Sequence, residues 1–131
     1  MQADPADATP LRVVVVDADD RVRESLCRVL CIGQRLEVVG MAGEPDPALE
    51  VVRTTQPDVV VVDPRLPEVD GGLRFLRSLR RTAPSVRILV MSGSDLPEMA
   101  DVTPLADGVV RKTYRATELL TAILGAATLL V

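Results

Sequence analysis

The chain has 131 residues, of which 47% are hydrophobic and 2% aromatic, and its formal net charge is −4. This length and composition predict one domain with an aliphatic core, and the acidic balance argues against binding of nucleic-acid phosphates. The sequence contains no histidine, which excludes Ser-His-Asp chemistry, imidazole metal ligands and a phosphohistidine carrier role. Lys112 is the single lysine among 15 basic residues, so its position invites a chemical explanation.

The first ten residues form a polar, proline-bearing tail. Residues 1–10 lack the cationic start and apolar stretch of a signal peptide. No apolar run approaches the roughly 18 residues of a membrane span. We therefore expect a cytoplasmic protein without membrane contact, with a flexible tail over residues 1–10 and one domain over residues 11–131.

The rest of the chain alternates strand and helix patterns. Strands are predicted over Leu11–Asp17, Leu36–Met41, Val59–Asp63, Val86–Ser92 and Gly108–Arg111. Helices are predicted over Asp20–Cys31, Pro47–Thr54, Gly72–Thr82 and Ala116–Leu130, while prolines limit Asp95–Asp107 to a short or irregular helix. This alternation predicts an α/β fold, a doubly wound five-stranded parallel sheet with right-handed crossovers.

The stretch Val59–Gly72 is the centre of this arrangement. Its four consecutive valines lack polar alternation, which is typical of a strand buried on both faces. Asp63 ends the strand at the edge where open α/β sheets bind ligands. Pro64 and Pro67 keep the chain extended, and Asp70 is expected to cap the next helix. Because no helix can begin for about six residues, we interpret Asp63 as a presented carboxylate and not as a cap.

Four polar residues should meet at this edge of the sheet. Asp17, Asp63 and Ser92 each end a strand, and Lys112 directly follows the fifth. Two neighbouring carboxylates favour a hard cation such as Mg²⁺. The Ser92 hydroxyl and the Lys112 ammonium would then contact the oxygens of a phosphoryl group at Asp63. Each residue alone could be a cap, a turn residue or a solvated charge; the four together favour the site.

The motifs that carry this site resemble those of the response-regulator receiver domain of two-component signalling. The resemblance extends over about residues 11–128 and is carried by residues 13–26, 63–72, 88–94 and 108–112. It implies a flavodoxin-like (βα)5 fold in which a sensor histidine kinase transfers a phosphoryl group from phosphohistidine to Asp63. It also implies that Ser92 and Lys112 contact the phosphoryl group. Arg65 matches the position whose backbone carbonyl ligates Mg²⁺ together with Asp17 and Asp63.

This sequence departs from the family pattern at several positions. The second metal-ligating acid of the family falls on Ala18, and Asp19, one residue further, is a candidate ligand with a redirected side chain. Asp20 is expected to cap the following helix. The aromatic residue of the fifth strand falls on Val109, and Thr113 stands where many receivers place proline. We therefore expect weak Mg²⁺ binding.

Two alternatives to ordinary phosphorylation stay open. One is a pseudo-receiver, an interaction module that works without phosphorylation, which Ala18 and Val109 favour and Asp63, Ser92 and Lys112 oppose. The other is an enzyme, since Asp17-Ala18-Asp19 after an apolar strand resembles the nucleophile motif of haloacid-dehalogenase-type phosphatases. The immediate start of a helix, where that family inserts a flap, argues against it. We expect a non-enzymatic domain.

The last helix is the expected partner surface. Residues 116–131 carry one charged side chain, Glu118, and their leucines span more than one helical stripe. An apolar patch of this kind favours an interface. In receivers the surface of the fourth helix, fifth strand and fifth helix commonly mediates dimerisation or output contact. We predict a homodimer, or binding of a downstream protein, through this helix.

Overall fold

The computed structural model describes residues 9–32, 35–92, 100–111 and 116–128. Its strands are β1 (Leu11–Val16), β2 (Leu36–Ala42), β3 (Val59–Val62), β4 (Arg87–Ser92) and β5 (Gly108–Arg111). Its helices are α1 (Asp20–Leu30), α2 (Pro45–Thr55), α3 (Val69–Thr82) and α4 (Ala116–Thr128), with a 3₁₀ turn at Thr103–Leu105. This turn falls within the segment predicted as short or irregular helix. The predicted tail, apart from residues 9 and 10, lies outside the described residues.

The five strands form one parallel sheet in the order β2-β1-β3-β4-β5. Val16 of β1 pairs with Val62 of β3, and Val62 pairs with Val90 of β4. The strand order reverses between β1 and β3, and in sheets of this flavodoxin-like order ligands bind beyond the carboxyl ends of the strands at such a reversal. The α/β, doubly wound fold predicted from the sequence is confirmed.

The central strands separate two apolar cores. One core contains Val14, Val16, Val60, Val62, Ile88 and Val90, together with Phe75, Leu76 and Leu79 of α3. The other contains Val13, Val15, Val59, Val61, Leu89 and Met91, together with Leu26 and Leu30 of α1 and Leu119 and Ile123 of α4. All eight valines of β1 and β3 are fully buried. A polar group inside these strands would need a buried partner, so polar chemistry is confined to their ends.

The start of α1 corrects one prediction. The N-cap is Asp19, whose backbone is extended (φ −86°, ψ 116°) and whose carboxylate accepts hydrogen bonds from the amides of Arg21 and Val22. Asp20, the predicted cap, lies in the first helical turn and forms an ion pair with Arg23. Capping requires a residue that is still extended while its side chain turns back onto the helix, and only Asp19 meets that condition.

The observed start of α3 also differs from the predicted one. The helix begins at Val69, three residues before the predicted start, and its N-cap is Glu68, which makes no side-chain cap hydrogen bond. Asp70, the predicted cap, lies in the first turn, where a carboxylate interacts favourably with the helix dipole. The helix nevertheless starts six residues after Asp63, as expected.

The last helix is more buried than predicted. Leu119 and Ile123 are fully buried against the sheet, because residues four apart lie on the same helix face. Leu120 and Leu124 are half-buried and pack beside them. The four leucine and isoleucine side chains therefore do not form one exposed patch, and the predicted extension over 129–131 lies outside the described residues. Among the described helices, none has the length and apolar character needed to cross a membrane.

Candidate functional site

Two buried carboxylates end the neighbouring strands β1 and β3. Asp17 and Asp63 directly follow the last paired residues of these strands and are only 2% and 8% exposed. The Asp63 amide donates to the carbonyl of Val16 at 2.9 Å, and the Asp17 amide donates to the carbonyl of Ala42 at 3.1 Å. The sheet hydrogen bonding thus continues into the site and places both aspartates at the reversal of strand order. Burying two carboxylates side by side is costly without a compensating cation.

The β1–α1 loop fixes one oxygen of Asp17. Asp17 Oδ1 accepts a hydrogen bond from the Asp19 amide at 2.9 Å. The Asp19 carboxylate in turn accepts from the Arg21 and Val22 amides at 2.9 and 3.2 Å. The loop therefore directs the Asp17 carboxylate by its own backbone, whereas the Asp19 carboxylate is held against the first turn of α1.

The β3–α3 loop folds back onto Asp63. The Arg65 amide donates to Asp63 Oδ1 at 3.0 Å, which brings the Arg65 peptide beside the carboxylate. The Arg65 side chain is exposed. Two residues of α3 approach the carbonyls of this loop so closely that a side chain would not fit. An ideal Cβ on Gly71 would overlap the Leu66 carbonyl oxygen, and one on Gly72 would overlap the Pro64 carbonyl oxygen.

The donor atoms at this edge fit a hard divalent cation. Carboxylate oxygens of Asp17 and Asp63 and nearby backbone carbonyls are the ligands that Mg²⁺ prefers. Within the described ranges, no group of three or more Asp, Glu, Cys or His side chains could hold a metal ion. Ala18 is exposed and supplies no carboxylate. The set is therefore two aspartates, one acid fewer than in the receiver pattern, because Ala18 replaces the second acid after β1.

The two remaining predicted site residues are only partly described. The backbone of Ser92 ends β4 and pairs with Arg111 of β5. Val90 of β4 pairs with Val62 of β3. One residue further along both strands, Met91 stands opposite Asp63, so Ser92 lies one residue beyond the level of Asp63. The placement of the Ser92 side chain, and of Lys112 as a whole, lies outside the described residues. Val109, at the family's aromatic position, is 46% exposed on β5.

One residue at the site was missed by the sequence reasoning. Arg23 Nη1 donates to the main-chain carbonyl of Asp17 at 2.8 Å, and its guanidinium also pairs with Asp20. The apolar spacing and the cap of α1 give no indication of this contact. A long side chain that reaches back six residues to a carbonyl has no periodic signature in the sequence.

Comparisons with known proteins agree with this architecture. The sequence matches the family described as response regulator receiver domain over residues 13–124. A protein-glutamate methylesterase/protein-glutamine glutaminase of Myxococcus xanthus is 37% identical over 113 residues, which are 86% of this chain and 32% of that protein. The response regulator GacA of Pseudomonas aeruginosa is 37% identical over 82 residues, which are 63% of this chain and 38% of that protein.

Solved structures show the same fold. The signal receiver domain of the response regulator NarL from Mycobacterium tuberculosis superposes with a TM-score of 0.83 at 30% identity, covering 92% of this chain and 98% of that chain. Of the two curated relatives, by contrast, the chain spans only 32% and 38%. The names of those proteins describe chains about three times as long as the segment they share with this one.

Proposed function

Because the chain belongs to the response regulator receiver domain family, we propose that it is a phosphoryl-accepting domain in which Asp63 is the acceptor. The observation that supports this most is the burial of Asp17 and Asp63 at the ends of adjacent strands, where the strand order reverses. The domain is not proposed to be an enzyme. Its activity is to receive a phosphoryl group and to present the changed surface to a protein partner.

The transfer proposed here is an in-line displacement at phosphorus. A carboxylate oxygen of Asp63 attacks the phosphohistidine of a sensor histidine kinase, the phosphorus–nitrogen bond breaks, and an acyl phosphate forms. The leaving imidazole nitrogen takes up a proton. The Asp63 carboxylate is prepared for this role because the Arg65 amide holds Oδ1 at 3.0 Å and burial removes most of its water. We assign the Ser92 hydroxyl and the Lys112 ammonium to the phosphoryl oxygens.

The proposed cofactor is Mg²⁺, held by Asp17, Asp63 and the backbone carbonyl of Arg65. When bound, the ion would neutralise charge on the phosphoryl oxygens and reduce their repulsion from the two carboxylates. Asp19 is left out of this set, because its carboxylate accepts from two amides of α1. The resulting two-carboxylate set predicts weaker Mg²⁺ binding than a three-acid set, since affinity follows ligand charge.

A pseudo-receiver is the second candidate, and the exposed Ala18 favours it. An interaction module of this fold needs neither a complete acidic cluster nor a labile phosphoryl group. The dehalogenase-type phosphatase is disfavoured, because α1 begins at Asp20 and leaves two residues after Asp17 where that family inserts a flap.

The proposed partners are proteins. A sensor histidine kinase supplies the phosphoryl group, and a downstream protein or a second copy of the chain contacts α4, whose Leu120 and Leu124 are half-buried. The net charge of −4 argues against a nucleic-acid partner for this domain. We further propose that the domain works in the cytoplasm.

Intact-mass spectrometry after incubation with acetyl phosphate and Mg²⁺ tests the acceptor. We expect one added phosphoryl group in the wild type and none in Asp63→Asn, a nearly isosteric variant without the nucleophilic carboxylate. Equal labelling of both proteins would exclude Asp63 as the acceptor. An unlabelled wild type would favour the pseudo-receiver, and labelling lost in Asp17→Asn but kept in Asp63→Asn would favour the phosphatase.

A further inference from the structure

We propose that Arg23 is a positioning residue of the acidic site and that Gly43 provides the space its guanidinium needs. Through the main chain of Asp17, Arg23 sets the orientation of the Asp17 carboxylate toward a cation. The inference rests on the proposed function for the identity of that cation, Mg²⁺. The orientation of Asp17 itself can be measured without it.

Arg23 connects the end of β1 to the first turn of α1. Its Nη1 donates to the Asp17 carbonyl at 2.8 Å, and its Nη2 pairs with Asp20 Oδ1. The Arg23 side chain is only 18% exposed, whereas that of Asp20 is 78% exposed. A guanidinium presents its donors in a rigid plane, so it can serve both acceptors at once. A lysine ammonium in the same place carries the charge but not this geometry.

Gly43 lies directly beneath this guanidinium. An ideal Cβ at Gly43 would lie 2.6 Å from Arg23 Nη1 and 3.4 Å from the Asp17 carbonyl oxygen. The backbone of Gly43 does not require glycine, since no described glycine has a positive φ. The Cβ of an alanine would therefore exclude the guanidinium from its site while making only ordinary contact with the Asp17 carbonyl oxygen. Three separate segments, after β1, in α1 and after β2, thus meet at Arg23.

The Asp17 residue is restrained on three sides. Its amide donates to Ala42, its carbonyl accepts from Arg23, and its Oδ1 accepts from the Asp19 amide. Because Ala18 contributes no carboxylate, cation binding depends on the orientation of Asp17 and Asp63. Loss of a group that orients a metal ligand typically lowers metal affinity by about 10- to 100-fold. Arg23 occupies that supporting position for Asp17.

Calorimetric titration with MgCl₂, well below the unfolding temperature, tests the proposal. We expect Arg23→Ala, Arg23→Lys and Gly43→Ala each to weaken Mg²⁺ binding about tenfold. The lysine variant fails because its single ammonium nitrogen lacks the planar fork in which Nη1 bonds the Asp17 carbonyl and Nη2 bonds Asp20. Gly43→Ala fails because the added methyl group displaces an arginine that is still present. In the double variant Arg23→Ala/Gly43→Ala, the second substitution should add no further loss, since the displaced group is already gone.

Arg80→Ala is the matched control. Arg80 also bonds main-chain carbonyls and a carboxylate, but these acceptors lie at the amino-terminal ends of β4 and β5, away from the acidic site. Its removal should destabilise the fold while leaving Mg²⁺ affinity unchanged. An equal loss of affinity in Arg80→Ala, or full affinity in Arg23→Ala, would overturn the positioning role.

The variant Asp17→Asn distinguishes a failure of the proposed metal site from a failure of the proposed role of Arg23. If the wild type binds no Mg²⁺, or Asp17→Asn binds it equally well, the proposed metal site is wrong. In that case the role of Arg23 is tested by the NMR chemical shift of the Asp19 amide proton in metal-free protein, because this proton forms a hydrogen bond to Asp17 Oδ1. We expect it to move upfield in Arg23→Ala and Gly43→Ala but not in Arg80→Ala. An unmoved resonance in the first two variants would disprove the inference.

Discussion

Arg80 and Asp107 join α3 to the segment before β5 through an ion pair, with Arg80 Nη2 2.8 Å from Asp107 Oδ2. Arg80 also donates to the carbonyls of Leu105 at 2.9 Å and Val86 at 3.2 Å. Arg87 approaches the other carboxylate oxygen of Asp107 at 3.2 Å. One guanidinium thus holds three segments together at the edge of the sheet opposite the acidic site.

Arg80→Ala should lower the free energy of unfolding by about 2 kcal/mol, because it removes hydrogen bonds to two main-chain carbonyls and a carboxylate. Urea denaturation at neutral pH measures the change. Arg77→Ala, an exposed position on the same helix, should change the free energy by less than about 0.5 kcal/mol. Equal effects of the two substitutions would show that the Arg80 contacts contribute no specific stability.

The Asp107 carboxyl should make the fold sensitive to acid. Burial alone would raise its pKa. Hydrogen bonds from the Ile88 amide and from Arg80, together with the positive charges of Arg80 and Arg87, outweigh burial and hold the pKa below the usual value of an aspartate. A depressed pKa in the folded state stabilises the protein above the unfolded pKa of about 3.9, and this stability is lost as pH falls through the folded value.

Asp107→Asn isolates that contribution. The variant should be less stable than the wild type at pH 7, and the difference should shrink as the pH falls below about 3.9. Urea denaturation at a series of pH values gives the two curves. A constant difference down to the lowest pH would mean that the ionised form of Asp107 contributes nothing specific.

Ala18→Asp should tighten Mg²⁺ binding, because it adds a carboxylate beside Asp17 and hard-ion affinity follows ligand charge. Calorimetry with MgCl₂ measures the gain. Asp19→Asn is the companion variant, and we expect it to leave Mg²⁺ affinity unchanged since Asp19 caps α1. No gain in the first variant, combined with a loss in the second, would place Asp19 among the ligands.

The α4 surface gives a prediction about assembly. If a homodimer forms through α4, Leu120→Glu and Leu124→Glu should shift light scattering from the dimeric to the monomeric mass. These residues are half-buried, so circular dichroism must first confirm that each variant is folded. Thr121→Glu, an exposed position on the same helix, is the control for added charge. A wild type that is monomeric at high concentration would contradict the dimer and leave only a heterologous partner.

Local patterns were sufficient for most of the fold. Four valines in succession predicted β3 because a strand buried on both faces cannot carry polar residues, and the acids that follow β1 and β3 marked the edge of the sheet. The cap of α1 was misplaced by one residue, because Asp19 and Asp20 are chemically equivalent. Their difference lies in a backbone angle that the sequence does not reveal.

The contacts that depend on distant segments could not be predicted. Arg23 reaches the Asp17 carbonyl over Gly43, and Arg80 bonds Asp107 from another element. Each contact depends on the direction of a long side chain, and the Arg23 contact also depends on the space left by Gly43, twenty residues further along the sequence. Neither contact has a periodic signal in the sequence, so the support of Asp17 by Arg23 and the anchoring of α3 by Arg80 are visible only in the three-dimensional structure.

The close approach of Gly71 and Gly72 to the acceptor loop has a mechanical consequence. With the carbonyls of Leu66 and Pro64 against the helix backbone, no compressible side chain separates α3 from the segment that follows Asp63. Close-packed contacts of this kind transmit displacement and do not absorb it. We therefore expect a shift of the acceptor loop to move the first turn of α3 with it, and the Arg80–Asp107 ion pair connects the other end of this helix to the segment before β5.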